Sequence, residues 1–153
     1  MSSPPRASAR TSPSRIARLL VGVVMLVVLA SACRPMNGSE THLFRETNAM
    51  RAGAGLPALA QHDALTDEAR SWAQRLAAQG SLAHSDPHAW RVSWRAVAEN
   101  VGTAGSIETV TSSLAASPSH RANMLSTKYS HMAIGTARGK DGRIYAVQLF
   151  WRG

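Results

Sequence analysis

The sequence predicts an α+β domain in which helices pack on a small antiparallel sheet. Two stretches, Glu40 to Ala52 and Asp63 to Gln79, repeat apolar residues at helical spacing. Two short apolar runs close to the C-terminus are joined by Gly139-Lys140-Asp141-Gly142, whose Asp-Gly pair signals a hairpin. Helices first and an antiparallel hairpin last is the element order of an α+β fold. The chain has 153 residues and a single cysteine. An intramolecular disulfide and a multi-cysteine metal site are therefore excluded. A packed core must hold the fold, and about 120 residues suffice for one.

In the first helix Leu43, Phe44, Thr47 and Met50 share a face, and Gly53 and Gly55 stop it. Leu56-Pro57-Ala58-Leu59 follows as an extended connector. Asp63 is the expected N-cap of the second helix, with Asp67 and Glu68 in its early turns. Leu65, Ala69, Trp72, Ala73 and Leu76 form its apolar stripe, and Gly80 ends it. Ser81 to Ala98 has Pro87 and little periodicity, and reads as irregular. Ile107 to Ala115 reads as a third helix, led by Ser106 as cap and stopped before Pro118. Met132 to Thr136 and Ile144 to Phe150 are the strands of the hairpin. No internal repeat is visible.

The first third of the chain reads as an address. The 17 basic residues exceed the 9 acidic ones, giving +8. Arg6, Arg10, Arg15 and Arg18 all precede Cys33, however, and no acid occurs before Glu40. From Arg34 onward 13 bases face 9 acids, a net +4. That mixed balance without a basic run argues against nucleic acid as a partner. Leu19 to Ala30 (LLVGVVMLVVLA) is apolar but short of the roughly 20 residues a spanning helix needs, and fits a signal-peptide core. Leu29-Ala30-Ser31-Ala32-Cys33 resembles a bacterial lipobox, with Ala30 where Leu is usual. Cys33 would then be lipidated and would anchor the chain in a membrane. Ala30-Ser31-Ala32 is equally a site for cleavage and free secretion, and an uncleaved signal anchor is a third option. The expected organisation is residues 1–33 as leader, 34–40 as tether and 41–153 as the folded domain, exported to the cell envelope or beyond.

Six histidines stand beside only two lysines. His42, His62, His88 and His131 have no partner in sequence and read as surface residues. His84 and His120 sit in tight local patterns, Leu82-Ala83-His84-Ser85 and Ser117-Pro118-Ser119-His120. A third pattern, Ala98-Glu99-Asn100-Val101, sets one carboxylate among apolar neighbours. Two imidazoles and a carboxylate can ligate a divalent ion with open positions, or do acid–base work. The bland alternative is a capping glutamate and two loop histidines.

Read in order, Asn48-Ala49-Met50-Arg51, Gly55-Leu56-Pro57-Ala58-Leu59, Ala69-Arg70-Ser71-Trp72-Ala73, Leu82-Ala83-His84-Ser85, Ala98-Glu99-Asn100-Val101, Ser117 to Leu125 and Gln148-Leu149-Phe150 resemble the bacterial branch of the CAP superfamily. That superfamily is named for cysteine-rich secretory proteins, antigen 5 and pathogenesis-related proteins. The resemblance spans about residues 41–151. It implies a three-layer α-β-α sandwich with a surface cleft, in which His84, Glu99 and His120 match residues that hold Zn²⁺ or another divalent cation. A second family glutamate, three residues before the second histidine, is Ser117 here. Other departures are Ala98 for Gly, Ala133-Ile134-Gly135 for Gly-Val-Gly, and Leu114 for Trp. Trp72 is expected in the core. Asn48 and Arg51 are expected to tie a helix to a loop, and Asn100 to anchor the turn after Glu99. Arg121 either orients an anionic ligand or pairs with an acid.

Two functions are compatible with these residues. The first is an exported binding module whose cleft holds a metal, with a lipid, peptide or glycan ligand nearby. The second is a metal-assisted hydrolase in which Glu99 positions a water and His84 and His120 hold the ion. The missing second acid weakens the enzyme reading. No Ser/His/Asp set stands out, and Cys33 belongs to the leader.

Overall fold

The computed structural model describes residues 35–153. The leader, the lipobox-like stretch and Cys33 lie outside the described residues. The elements run α1 (Gly38–Gly53), β1 (Ala60–Gln61), α2 (Asp63–Gln79), a 3₁₀ turn (Pro87–Ala89), β2 (Ala96–Ala104), α3 (Ile107–Ala116), α4 (Pro118–Met124), β3 (His131–Arg138) and β4 (Ile144–Arg152).

The sheet order is β1-β3-β4-β2. β4 pairs antiparallel with both β3 and β2, and β1 adds a short parallel edge to β3. Alternate strand residues point to opposite faces. Met132, Ile134, Ala146 and Phe150 therefore meet Leu43 of α1, Val110 and Leu114 of α3 and Met124 of α4 on one side. On the other, Ala133, Tyr145, Val147 and Leu149 meet Leu65, Ala69, Ala73 and Leu76 of α2. The result is the three-layer sandwich, with an apolar layer on each face of the sheet.

The structure corrects the sequence reading at several places. The first helix starts at Gly38, inside the stretch 34–40 expected as a tether. Asn37 caps it: its side chain accepts from the Glu40 N–H while the Glu40 carboxylate accepts from the Asn37 N–H, each at 2.9 Å. Arg70 then grips Glu40 with two hydrogen bonds, of 2.9 and 2.6 Å. The cap of α2 is His62, not Asp63, because its Nδ1 accepts from the Leu65 N–H at 3.3 Å. The expected connector after α1 runs into β1, so the sheet is mixed rather than wholly antiparallel. β2 falls where no strand was expected. Its sequence, AVAENVGTA, sets small and polar residues at positions that pack on both faces, which erases the alternation a strand normally shows. Ser106 caps α3 as expected, its Oγ accepting from the Thr109 N–H. The Gly139–Gly142 turn closes the final hairpin, with Gly142 at φ +77°.

Candidate functional site

β2 organises the site because its neighbouring residues Glu99 and Asn100 point to opposite faces and each holds a different segment. Glu99 faces the α2 side. Its Oε1 lies 2.7 Å from His84 Nδ1 and accepts from the Ser85 N–H at 2.9 Å. Its Oε2 accepts from the Ser85 hydroxyl at 2.7 Å. The Trp90 indole N–H donates to that hydroxyl at 3.0 Å, closing the chain of bonds from the far side. A carboxylate can only accept, so Nδ1 of His84 carries its proton and Nε2 is left as the imidazole's free nitrogen. The exposures fit a buried anchor and a presented ring: the Glu99 side chain is 7% exposed and His84 64%.

The segment bearing His84 is fixed again one residue earlier. Trp72 on α2 donates its indole N–H to the Ala83 carbonyl at 3.0 Å, and Arg75 stacks over the Trp72 ring at 4.6 Å. Trp72 is thus half-buried at the rim of the core, not inside it as its helical spacing suggested.

Asn100 is fully buried on the opposite face. Its Nδ2 donates to the His120 carbonyl at 3.1 Å and to Gln148 Oε1 at 3.0 Å, and its Oδ1 accepts from Asn123 at 2.9 Å. Gln148 in turn donates to Thr47 of α1 at 2.9 Å. Asn100 therefore anchors helix α4, and with it His120, rather than the turn after Glu99. Pro118 opens α4 at its first turn, where a missing N–H costs nothing. The pKa of His120 is lowered, first by burial and then by the nearby His84.

The three expected residues are thus brought to one strand, but not as a single cluster. His84 and Glu99 are in direct contact, and His120, whose backbone is held on the other face of β2, is near enough to His84 to feel its charge. Among the described residues no three His, Cys, Asp or Glu side chains converge as a preformed metal set. Ser117, at the position of the missing acid, lines the His120 cavity.

Two cavities flank the strand. One, of about 260 Å³, is bounded by His84, Ser85, Trp90 and Val97 to Glu99. The other, of about 250 Å³, is bounded by Leu82, Val101 to Thr103, Leu114 and His120. Leu82 is the exposed large hydrophobic of the described residues, at 44%.

Ser85, Trp90 and Gln148 were missed as site residues. Gln148 had a readable signal, a polar residue in the middle of the apolar run Ile144 to Phe150. Asn48 and Arg51 do tie α1 to neighbouring loops. Asn48 exchanges two bonds with the Leu59 backbone, and Arg51 donates to the carbonyls of Pro57, Met124 and Ser126. His62 and His131 are not freely solvated. Both rings pack edge-on against Trp151, at 4.5 and 5.3 Å. His88 lies on the 3₁₀ turn beside Trp94, and Arg121 is exposed on α4.

Compared with known proteins, residues 44–150 match the model of the CAP family, described as the cysteine-rich secretory protein family. No curated protein sequence matches the chain. Among solved structures, an outer surface protein from Borrelia burgdorferi superposes with a TM-score of 0.70 at 20% identity, covering 78% of this chain and 96% of that one. An extracellular protein containing an SCP domain from Bacillus anthracis gives 0.66 at 19%, covering 79% of this chain and 45% of its own. A cysteine-rich secretory protein from Staphylococcus aureus gives 0.63 at 24%, covering 79% and 42%. In the last two the shared domain is under half of the longer chain.

Proposed function

Because the chain belongs to the CAP family of cysteine-rich secretory proteins, we propose that it is an exported binding module of the cell envelope. Export is supported by the basic leader and its short apolar core, and by similar structures that are outer surface or extracellular proteins. Cys33 attaches the chain to a membrane through a lipid. A fatty-acid probe should label the parent chain and not a Cys33→Ser chain, and equal labelling would overturn the anchor.

The cleft along β2 takes a divalent cation, Zn²⁺ or another, together with a lipid, peptide or glycan. The observation that carries this reading is the 2.7 Å bond between Glu99 and His84 Nδ1. A carboxylate behind an imidazole fixes its tautomer and ring plane, the usual support of a metal-ligating histidine. The donor set fits an ion as far as two imidazoles go, His84 through Nε2 and His120 beside it. Glu99, with both oxygens already bonded, acts behind His84 rather than as a third ligand. A bound ion would supply a Lewis-acid centre with open positions for an oxygen of the ligand.

The hydrolase alternative asks Glu99 to activate a water. Its oxygens already accept three hydrogen bonds from His84 and Ser85, so the geometry favours holding over turnover. Calorimetry should show Zn²⁺ binding by the parent protein and at least tenfold weaker binding by a His84→Ala/His120→Ala double variant. Equal affinity in the two would refute the metal site.

A further inference from the structure

β2 is an edge strand of the sheet. Gly139 N–H bonds to the Arg143 carbonyl at the hairpin, which fixes the odd-numbered residues of β3 and β4 as the pair that exchange hydrogen bonds. The even-numbered residues of β4 then bond to the even-numbered residues of β2. The N–H and C=O groups of Val97, Glu99, Val101 and Thr103 are left pointing away from the sheet. Of these groups, the Thr103 carbonyl accepts from the Arg143 guanidinium at 3.1 Å. Among the described residues, the outward groups of Val97, Glu99 and Val101 meet no protein partner.

Natural sheets cover, twist or charge an edge of this length to prevent another strand from adding to it. Here it is instead lined with cavities. The one beside Glu99 includes the adjacent residues Val97 and Ala98, and the one beside His120 includes Val101 and Gly102. Adjacent strand residues point to opposite faces, so each cavity opens at the strand's edge. The first cavity lies on the α2 side with Trp90, and the second on the α3 side with Val110 and Leu114. An added strand sends successive side chains to the two faces in turn, and so would fill one cavity from each. The strand ends carry cations, with Arg95 exposed just before it and Arg143 at Thr103.

The geometry points to an extended peptide as the occupant: apolar in its middle, acidic at its ends, and added as a fifth strand along β2. A row of alternating donors and acceptors at the strand repeat is matched by another peptide backbone, whereas an acyl chain offers it no polar group. His84 and His120 flank the middle of the added strand, where they would meet its side chains. This inference rests on the binding-module reading and narrows its ligand to one class.

The test uses the full chain, in excess chelator so that no metal is needed. An array of end-blocked nonapeptides carries Glu at both ends and Val, Leu or Phe at two inner positions in a Thr background. At least one peptide should bind, and N-methylation of its alternate backbone nitrogens should weaken binding tenfold or more. Bound peptide should slow hydrogen exchange at the amides of Glu99 and Val101. Thr103→Pro, which removes an outward N–H without touching the ladder to β4, should weaken binding at least fivefold. Failure of every peptide to bind, or equal binding of the N-methylated form, would overturn strand addition. Lipid or glycan retained by a domain that binds no peptide would also overturn it, and would leave the module reading standing.

Discussion

At the scale of single residues, charge and hydrogen-bonding capacity are matched one to one around the buried groups. Glu99 is nearly inaccessible, yet its two oxygens accept from a ring nitrogen, a backbone N–H and a hydroxyl, so its burial does not leave an orphaned charge. His62 shows the same economy with a titratable group. Its Nδ1 caps α2, its ring packs against His131 and Trp151, and Asp63 is its neighbouring acid. Burial, followed by the like charge of His131, lowers its pKa from the ordinary 6.5, and the cap bond to the Leu65 N–H needs that nitrogen unprotonated. Below pH 6.5 the unfolded chain therefore takes up protons that the folded one refuses. This contribution to stability is complete above that pH and is lost as pH falls through the lowered folded value. Thermal melts at pH 5 and 7.5 should differ more for the parent than for His62→Asn, which keeps a capping acceptor and does not titrate. A parent and variant with the same pH slope would contradict this role.

At the scale of elements, the sandwich depends on how closely α2 approaches the sheet. Gly135 faces α2, and a Cβ built there overlaps the backbone of Ala69 and Arg70. Neither partner is the movable end of a side chain, so the helix itself must shift. Gly135→Ala should therefore cost about 3 kcal/mol and lower Tm by roughly 10 °C. A melt within a degree or two of the parent would show that α2 does not lie as close as described. Much at this scale was legible in advance. The stripe of α2, the Ser106 cap and the Asp-Gly hairpin each carry a local signal, and each falls where expected, save Trp72 at the rim of the stripe. β2 was not legible, since Ala96 to Ala104 mixes small, apolar and polar residues without a period of two, and helices cover both of its faces. The cap of α2 was misread because aspartate is the commoner cap, and only the tertiary placement of the His62 ring gives it the acceptor role.

At the scale of the whole molecule, Arg51 joins three parts that are far apart in sequence. It is 1% exposed, and its guanidinium donates to the carbonyls of Pro57, Met124 and Ser126. Arg51→Met should cost about 3 kcal/mol by stranding those carbonyls. Arg51→Lys should recover only part of that, because a single ammonium cannot match the spread of a planar fork. Chemical denaturation curves measure both, and full recovery by lysine would contradict the fork. The histidines of the site were legible as residues, but their arrangement was not. Fifteen residues separate His84 from Glu99 in the chain, and nothing local says that one strand gathers both histidines. That gathering has a consequence for how the domain can vary. Glu99 and Asn100 hold their partners from opposite faces, so both histidine-bearing segments are placed by two consecutive residues of one strand. The stretch from Asp86 to Arg95 is itself tied in at Trp90, which is buried and donates to Ser85, so its length matters to the His84 half of the site. A single-residue deletion within β2 ahead of Glu99 would exchange the two anchors' faces and dismantle both halves at once.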